Sequence, residues 1–475
     1  MDQKSSDRSR AASKAAEGSH PDERVFGPTF AEREAAGRSL RKKVPRSSHK
    51  LWSSPPNRPD PVEFLRTADR GRLAELLPIR YGRMRESPFA FFRGAAALMA
   101  ADLANTPVTG IRVQACGDCH VSNFGGFGSP ERRLIFDIND FDETLPAPWE
   151  WDLKRLAASI RVASRVRGAS ESRCARAVRA AVESYRKHVR EYAEMHALEA
   201  WYSHLDAAVF IKEAKTRNEK KRWRQMESKA KKQTADRVFL KLAQVEKGHW
   251  RIKDRPPLVY HPRHAERIGK HVREMFQRYR RTLPEERRII LDRYHIVDVA
   301  RKVVGVGSVG TRCDVALLMA AENDPLVLQF KEARASALEA YAGKSRYTNH
   351  GERVVVGQRM LQSASDVFLG WTRDDDGRDY YFRQLRDMKM SVNLDDMPAE
   401  EWLEYVEICG WALARAHART GDAARIAGYL GKSDCFDDAI EKFSIAYADQ
   451  TESDYDTFVR AIRAKKIPAR SERPS

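Results

Sequence analysis

Between residues 116 and 159 the chain reads CGDCHVSNFGGFGSPERRLIFDINDFDETLPAPWEWDLKRLAAS. Asp118 and Asn123 stand five apart in a loop that follows a strand-forming segment. Asp137, Asp140 and Asp142 close the next such segment. Two strands returning side by side would gather Asp118, Asn123 and one of those three carboxylates round one point. Carboxylates with an amide oxygen are hard ligands suited to Mg²⁺, which keeps waters and substrate phosphates in its shell. A further Asp beside the metal can orient or deprotonate an attacking hydroxyl. The plainer reading makes the same residues turn formers and loop caps. Cys116-x-x-Cys119, with His120 as a third ligand, has the form of half a zinc or redox site. No second cysteine pair accompanies it.

A second constellation spans residues 301–333, RKVVGVGSVGTRCDVALLMAAENDPLVLQFKEA. Gly305, Gly307 and Gly310 form G-x-G-x-x-G, with Ser308 inside it. Glycines let backbone amides approach phosphates without obstruction by Cβ. Two folds compete for this stretch. In one, the loop joins two antiparallel strands, residues 326–331 form a third, and Lys331 projects toward the α/β-phosphates. Its carboxylate partner then lies on the next helix, with Glu339 preferred over Glu352. In the other, 311–323 is the helix of a dinucleotide-binding βαβ unit, and Glu332, 22 residues after Gly310, binds a ribose. The second fold needs further alternating strand–helix units, and only 366–371 and 380–385 offer strands, close together like a hairpin.

These side chains depend on the elements around them. Residues 62–105 read as helices, 111–115 and 133–138 as strands, and 149–205 as helix, with Trp151, Leu153, Leu156, Ile160 and Val162 at mostly helical spacings. Residues 211–255 and 262–283 also read as helical. From 295 the texture turns β-like and glycine-rich. Residues 398–419 form a long amphipathic helix through Trp402, Tyr405, Val406, Cys409 and Leu413. The fold class is therefore α+β, with strands in two clusters far apart in the chain.

The run Gly-Asp-x-His-x-x-Asn, then a strand, then Asp-Phe-Asp, then a helix opening with Asp-Leu resembles the catalytic core of aminoglycoside phosphotransferases and choline-kinase-like enzymes. The resemblance implies Asp118 as catalytic base, with His120 in the same motif. It implies Asn123 as one metal ligand and Asp137, Asp140 or Asp142 as the second, the Asp-Phe context favouring Asp140. Asp152 falls at a structural position, and Cys116 stands where the family has His. It further implies ATP and Mg as cofactors, a hydroxyl-bearing acceptor, and nucleotide held by Gly305, Gly307, Ser308, Gly310, Lys331 and Glu339. The order is unusual: the candidate nucleotide lobe follows the catalytic loop, and the helix with Leu413-Ala414-Arg415-Ala416-His417 comes last. We expect a two-lobed protein-kinase-like fold, circularly permuted, with a largely helical large lobe; permutation is tolerable where the original ends lie close together. The expected division is a disordered basic tail (1–60), a helical lobe with the catalytic loop (61–294), a small β-rich lobe (295–390) and a C-terminal helical segment (391–475). Across most of its length the chain also resembles a bacterial family of unknown function, through SPFAFFRGAA, GDCHVSNFG, FDINDFDET, PWEWDLKRLA, GVGSVGTRC, QFKEA, RQLRDMK (383–389) and ARAHART.

The 475 residues carry a net charge of +18, concentrated in residues 1–60 and 211–255. Trp223 and Trp250 lie among the lysines and arginines of the second stretch, a pattern that can bind nucleic acid through phosphate contacts and base stacking. A solvated face is the commoner use of such a run. Mean hydropathy is −0.62, and no apolar run suits a membrane span or signal peptide. Six sparse cysteines fit a reducing cytoplasm. The leading expectation is a phosphotransferase. The alternatives are an inactive nucleotide- or nucleic-acid-binding protein and an NAD(P)-dependent oxidoreductase.

Overall fold

The computed structural model describes residues 27–470, apart from 215, 232–234, 263–264, 322–323 and 386–392. It is α+β, with strands in separate groups. Early in the chain β1 (Arg112–Ala115) pairs antiparallel with β4 (Leu145–Pro148), and β2 (Phe124–Gly128) with β3 (Leu134–Ile138). The stretch expected as one helix over 211–255 instead contains a hairpin, β5 (Ala243–Glu246) and β6 (His249–Ile252), after its helices. The main sheet is antiparallel and six-stranded. It is built from β7 (Val259–Tyr260), β8 (His295–Lys302), β9 (Cys313–Met319), β10 (Pro325–Ala333), β11 (Gly370–Arg373) and β12 (Asp379–Gln384), in the order β11-β12-β10-β9-β8-β7.

β9 and β10 read as continuous apolar runs because both faces of the sheet are covered. Leu318, Leu326, Leu328, Phe330 and Phe382 pack on Val272, Met275, Phe276 and Tyr279 of the helix Ala265–Arg280. On the opposite face Val315, Leu317 and Val327 meet Phe239, Ala243 and Ile252. Further along that second face the residues turn polar: Gln329, Lys331 and Arg383 line a cavity. The boundary expected at 295 therefore falls inside the unit built on the sheet, since the covering helix and β7 precede it.

The helical body joins Trp149–Val166, Glu171–Glu194, Ala399–Thr420 and Cys435–Arg463. Its core holds Trp149, Leu156, Ile160, Tyr185, Val406, Leu413 and Phe443, all fully buried. Among the described residues, no helix is long and apolar enough to cross a membrane.

From residue 27 onward the expected tail is folded; residues 1–26 lie outside the described residues. The helix Phe30–Ser39 opens with a capping box of Thr29 and Glu32. Arg41 donates to the carbonyls of Gly428 and Tyr429 (2.5 and 2.8 Å), and Arg46 to that of Leu430 (2.6 Å). These carbonyls end the helix Ala423–Leu430, where cations are favoured and acceptors lack intrahelical donors. Arg58 is 7 % exposed and bridges Asp102 and Asp454 at 2.8 and 2.7 Å. Part of the basic surplus read as a free tail thus closes helix ends and buried carboxylates.

Candidate active site

The loop between β1 and β2 is fixed from beneath. Asp152, in the first turn of the helix Trp149–Val166, accepts hydrogen bonds from the amides of Cys116 and Gly117 at 2.7 and 3.0 Å. His417 Nε2 lies 3.3 Å from the same carboxylate, and His417 Nδ1 is bonded to the Tyr185 hydroxyl at 2.8 Å. Gly117 has φ +83°, and a Cβ there would sit 2.2 Å from the carbonyl oxygen of Glu143, so the turn requires glycine. The Tyr405 hydroxyl donates to the carbonyl of Val121 at 2.8 Å. The helix Ala399–Thr420, arriving far later in the chain, therefore supports the catalytic-loop candidate directly. Cys116 and Cys119 are fully buried, and burial pushes both thiols up. Their sulfurs and an Asp152 oxygen lie within 4.8 Å of one another. His120 is not in that group and lines the cavity instead. With Asp152 committed to two amides and a histidine, the pair is part of the loop's packed floor.

Above this floor, Arg155 Nε donates to Asp118 Oδ1 at 2.7 Å, and the Arg155 guanidinium stacks over the Phe92 ring at 4.4 Å. Asp118 is thereby held as an oriented carboxylate. Asn123 Nδ2 donates to the backbone carbonyl of Asp118 at 2.7 Å, which directs its amide oxygen elsewhere. His120 is 3 % exposed; burial first, then Arg93 and Arg155, pulls its imidazole well below the usual range. Asp137 is not at the site. It is fully buried, bound by Arg415 at 2.6 Å and by the amide of Ser363 at 3.1 Å.

Asp140 and Asp142 both line the cavity and differ sharply. Asp142 accepts from Lys331 Nζ (2.6 Å), the Tyr381 hydroxyl (2.7 Å) and the Ser308 hydroxyl (3.0 Å). Burial works to raise its carboxyl, but the Lys331 ammonium and these donors bring it down to about 2. Asp140 has no such cation in contact, and burial followed by the Asp142 charge pushes it up. Burial also opposes the charge on Lys331, yet Asp142 holds its ammonium well above the usual range.

Lys331 therefore pairs with Asp142 and not with Glu339. Glu339 instead accepts from the amide of Ser336 at 3.2 Å and does not line the cavity. The second helix after β10, His350–Leu361, presents Arg353 toward the Asp142 loop. Arg353 is 1 % exposed and donates to the carbonyls of Asp142 and Arg334 (both 2.8 Å) and of Thr144 (2.6 Å). It clamps the Asp142 loop to the sheet side of the site.

The glycine-rich segment joins β8 to β9, which are antiparallel, and residues 313–319 are strand where the βαβ reading needs a helix. Glu332, expected to bind a ribose in that reading, pairs with Arg312 at 3.1 Å. Gly305, Gly307 and Ser308 line the cavity; Gly310 does not, and its φ of +90° makes it the turn residue. A Cβ at Gly307 would lie 4.0 Å from Asp118 Oδ2, so the loop reaches the catalytic-base candidate. Arg72 donates to the carbonyl of Val309 (2.8 Å), Arg80 to that of Val306 (2.6 Å), and Arg83 to that of Val304. The cavity has a volume of about 770 Å³. Asp118, His120, Asn123, Asp140, Asp142, Lys331 and the glycine loop all face it.

Residues 72–461 match the model of a family described as an uncharacterized protein conserved in bacteria, DUF2252. The chain belongs to DUF2252. No curated protein and no solved structure matches it. The DUF2252 region begins at Arg72, the first of the arginines on the glycine loop, and takes in every residue of the cavity named above. Several of those residues were not legible in the sequence. Arg155 follows Asp152 by one turn in PWEWDLKRLA, a spacing that could have flagged it. Arg353, Tyr381, Arg72, Arg80 and Arg83 carry no motif.

The basic stretch lies apart from this DUF2252 cavity, and its aromatics are occupied. Trp223 is 6 % exposed, stacks on Phe210 at 4.4 Å, and donates to Glu404 at 3.0 Å. Trp250 packs edge-on to Phe239 at 4.6 Å. Lys220, Lys221 and Arg224 are exposed, as on a solvated face.

Proposed function

We propose that this DUF2252 chain is an ATP- and Mg²⁺-dependent phosphotransferase of kinase-like, circularly permuted fold, acting on a hydroxyl acceptor. The observation that carries the reading is the meeting of Lys331 with Asp142, 189 residues apart in sequence, in a cavity shared with Asp118, Asn123, Asp140 and the glycine loop. Permutation is supported by the helix Ala399–Thr420, which supports the catalytic loop from the far end of the chain. The oxidoreductase reading loses its basis with the missing βαβ unit. Six free cysteines are in keeping with a cytoplasmic setting.

The donor set suits Mg²⁺: an amide oxygen on Asn123 and carboxylates on Asp140 and Asp142, with Asp140 free of a cation contact. When bound, the ion would draw charge from the transferred phosphoryl group. The chain's own residues do the positioning. Arg155 occupies Asp118 Oδ1, so Oδ2 is the oxygen left to accept from the acceptor hydroxyl. Asp118, oriented by Arg155, suits phosphoryl transfer: the new O–P bond forms as the bridge to ADP breaks, and the hydroxyl proton passes late to Asp118. Lys331, anchored by Asp142, stands where it can meet the nucleotide phosphates. The glycine loop covers the same space and limits water.

Asp118→Ala is expected to keep nucleotide affinity and to lose about 10²–10⁴ in turnover. ADP release with candidate hydroxyl acceptors, beside calorimetric titration of ATP–Mg²⁺, measures both; turnover at the wild-type rate would refute the role. An inactive nucleotide-binding protein is the second reading. It is favoured by the Asp118–Arg155 and Lys331–Asp142 pairs, which engage two groups that the chemistry needs. Wild-type binding of ATP without turnover on any acceptor would select it.

A further inference from the structure

We infer that the cavity holds an oxyanion subsite at Arg93, beside Asp118 on the acceptor side, and that the acceptor of the proposed transfer carries a carboxylate or phosphate group. The second half of this inference rests on the phosphotransferase reading; the first does not.

Three charges around the cavity are already matched. Asp118 is neutralised by Arg155, and Asp142 by Lys331. Arg80 is bound to Asp69 at 3.0 Å. Arg93 is different. It lines the cavity from the helix Pro88–Gly94, its Nε is buried without a hydrogen-bond partner, and no carboxylate of the described residues pairs with it. One of its terminal nitrogens would lie 3.9 Å from a Cβ built on Gly305, and its own carbonyl oxygen 3.5 Å from one built on Gly307, so it sits under the glycine loop. A second unpartnered group stands near it: His120 is 3 % exposed, its Nδ1 has no partner, and its Nε2 is 3.8 Å from Asp118 Oδ2, beyond hydrogen-bonding distance.

A guanidinium with a nitrogen buried without a hydrogen bond is costly unless a ligand or water supplies one. Its planar fork matches carboxylate and phosphate oxygens. The imidazole of His120 adds a further unpartnered ring nitrogen at the same place. With Asp140 assigned to the metal, Arg93 is left as a cation under the same glycine loop that Asp118 Oδ2 approaches at Gly307.

The test uses the full chain and its Arg93→Gln and Arg93→Lys variants. Inorganic phosphate and malonate are titrated by calorimetry, with and without saturating AMP-PNP–Mg²⁺, and circular dichroism checks that each variant is folded. The expected result is anion binding that persists beside the nucleotide analogue, weakens about tenfold to a hundredfold in Arg93→Gln, and is partly retained in Arg93→Lys. Phosphate and malonate separate the two anion classes by relative affinity. Equal anion affinity in wild type and Arg93→Gln overturns the subsite. So does competition between anion and nucleotide, or a loss in Arg93→Gln confined to AMP-PNP with ADP unaffected, since both would assign Arg93 to the γ-phosphate. Arg93-dependent anion binding in a chain that binds no nucleotide keeps the subsite and removes the phosphotransferase reading.

Discussion

The loop at 116–123 and the loop at 304–310 meet across one cavity, and they are held by opposite chemistries. The first is fixed by a buried acceptor: Asp152 gathers two backbone amides and His417 from below. The second is fixed by donors: Arg80 and Arg83, from the helix Leu77–Met84, and Arg72, from the turn ahead of that helix, reach to its carbonyls. Asp152 is enclosed in the helical body and Arg80 is equally buried, whereas Arg72 and Arg83 are half-buried at the cavity wall. A catalytic carboxylate gains from an immovable base, because a small displacement of a reacting group is costly in rate. Under the proposed function, a loop that admits and releases a nucleotide would gain from contacts that can open one at a time.

Mutations can break this contrast. Asp152→Ala leaves two buried amides unsatisfied and removes the partner of His417. It is expected to cost about 3–5 kcal/mol in urea denaturation and to disable the site with it. A loss near zero would show that Asp152 does not fix the loop. Arg353→Ala uncouples the Asp142 loop from the helix behind it and should cost about 2–3 kcal/mol, with nucleotide affinity falling alongside stability. Arg83→Ala is expected to cost at most about 1 kcal/mol globally while hydrogen exchange at 304–310 speeds up; unchanged exchange there would equate the two loops.

Acid sharpens the same comparison. The Asp142 carboxyl is held down to about 2 in the folded protein, below the usual aspartate value of 3.8. A depressed carboxyl contributes stability that is fully present above its unfolded value and is lost as pH falls toward the folded one. The Lys331–Asp142 pair should therefore lose about 1 kcal/mol between pH 4 and pH 2, and Asp142→Asn should flatten that part of the profile. The smallest effect concerns the basic stretch. Neutralising Lys220, Lys221 and Arg224 together should change thermal stability by less than about 0.5 kcal/mol and leave ATP affinity intact.

Much of the cavity was readable because its parts sit in short local patterns. Asp118, Asn123 and Asp140 belong to one run of residues, and Lys331 follows a turn signal and an apolar strand. Pairings across the chain were not readable. Glu339 was the natural partner for Lys331 by proximity in sequence, yet Asp142 reaches it through a fold that brings β10 onto the β3–β4 turn. Arg353 lies in a helix whose apolar pattern conceals a buried cation satisfied by backbone carbonyls. The aromatics of 211–255 suggested stacking on bases because sequence shows Trp223 beside lysines and hides Phe210 beneath it. The first described residues were read as loose because their charge has no local counterpart; their partners lie at the other end of the chain.

That last arrangement has a consequence for the order of events in synthesis. Arg41 and Arg46 find their acceptors on carbonyls 428–430, and Arg58 one of its carboxylates at Asp454. A nascent chain will have exposed its early arginines, the catalytic loop and the sheet before any of these acceptors leaves the ribosome. These contacts close only once residues 428–454 have been made, and chains cut short before residue 423 will leave Arg41 and Arg46 without them.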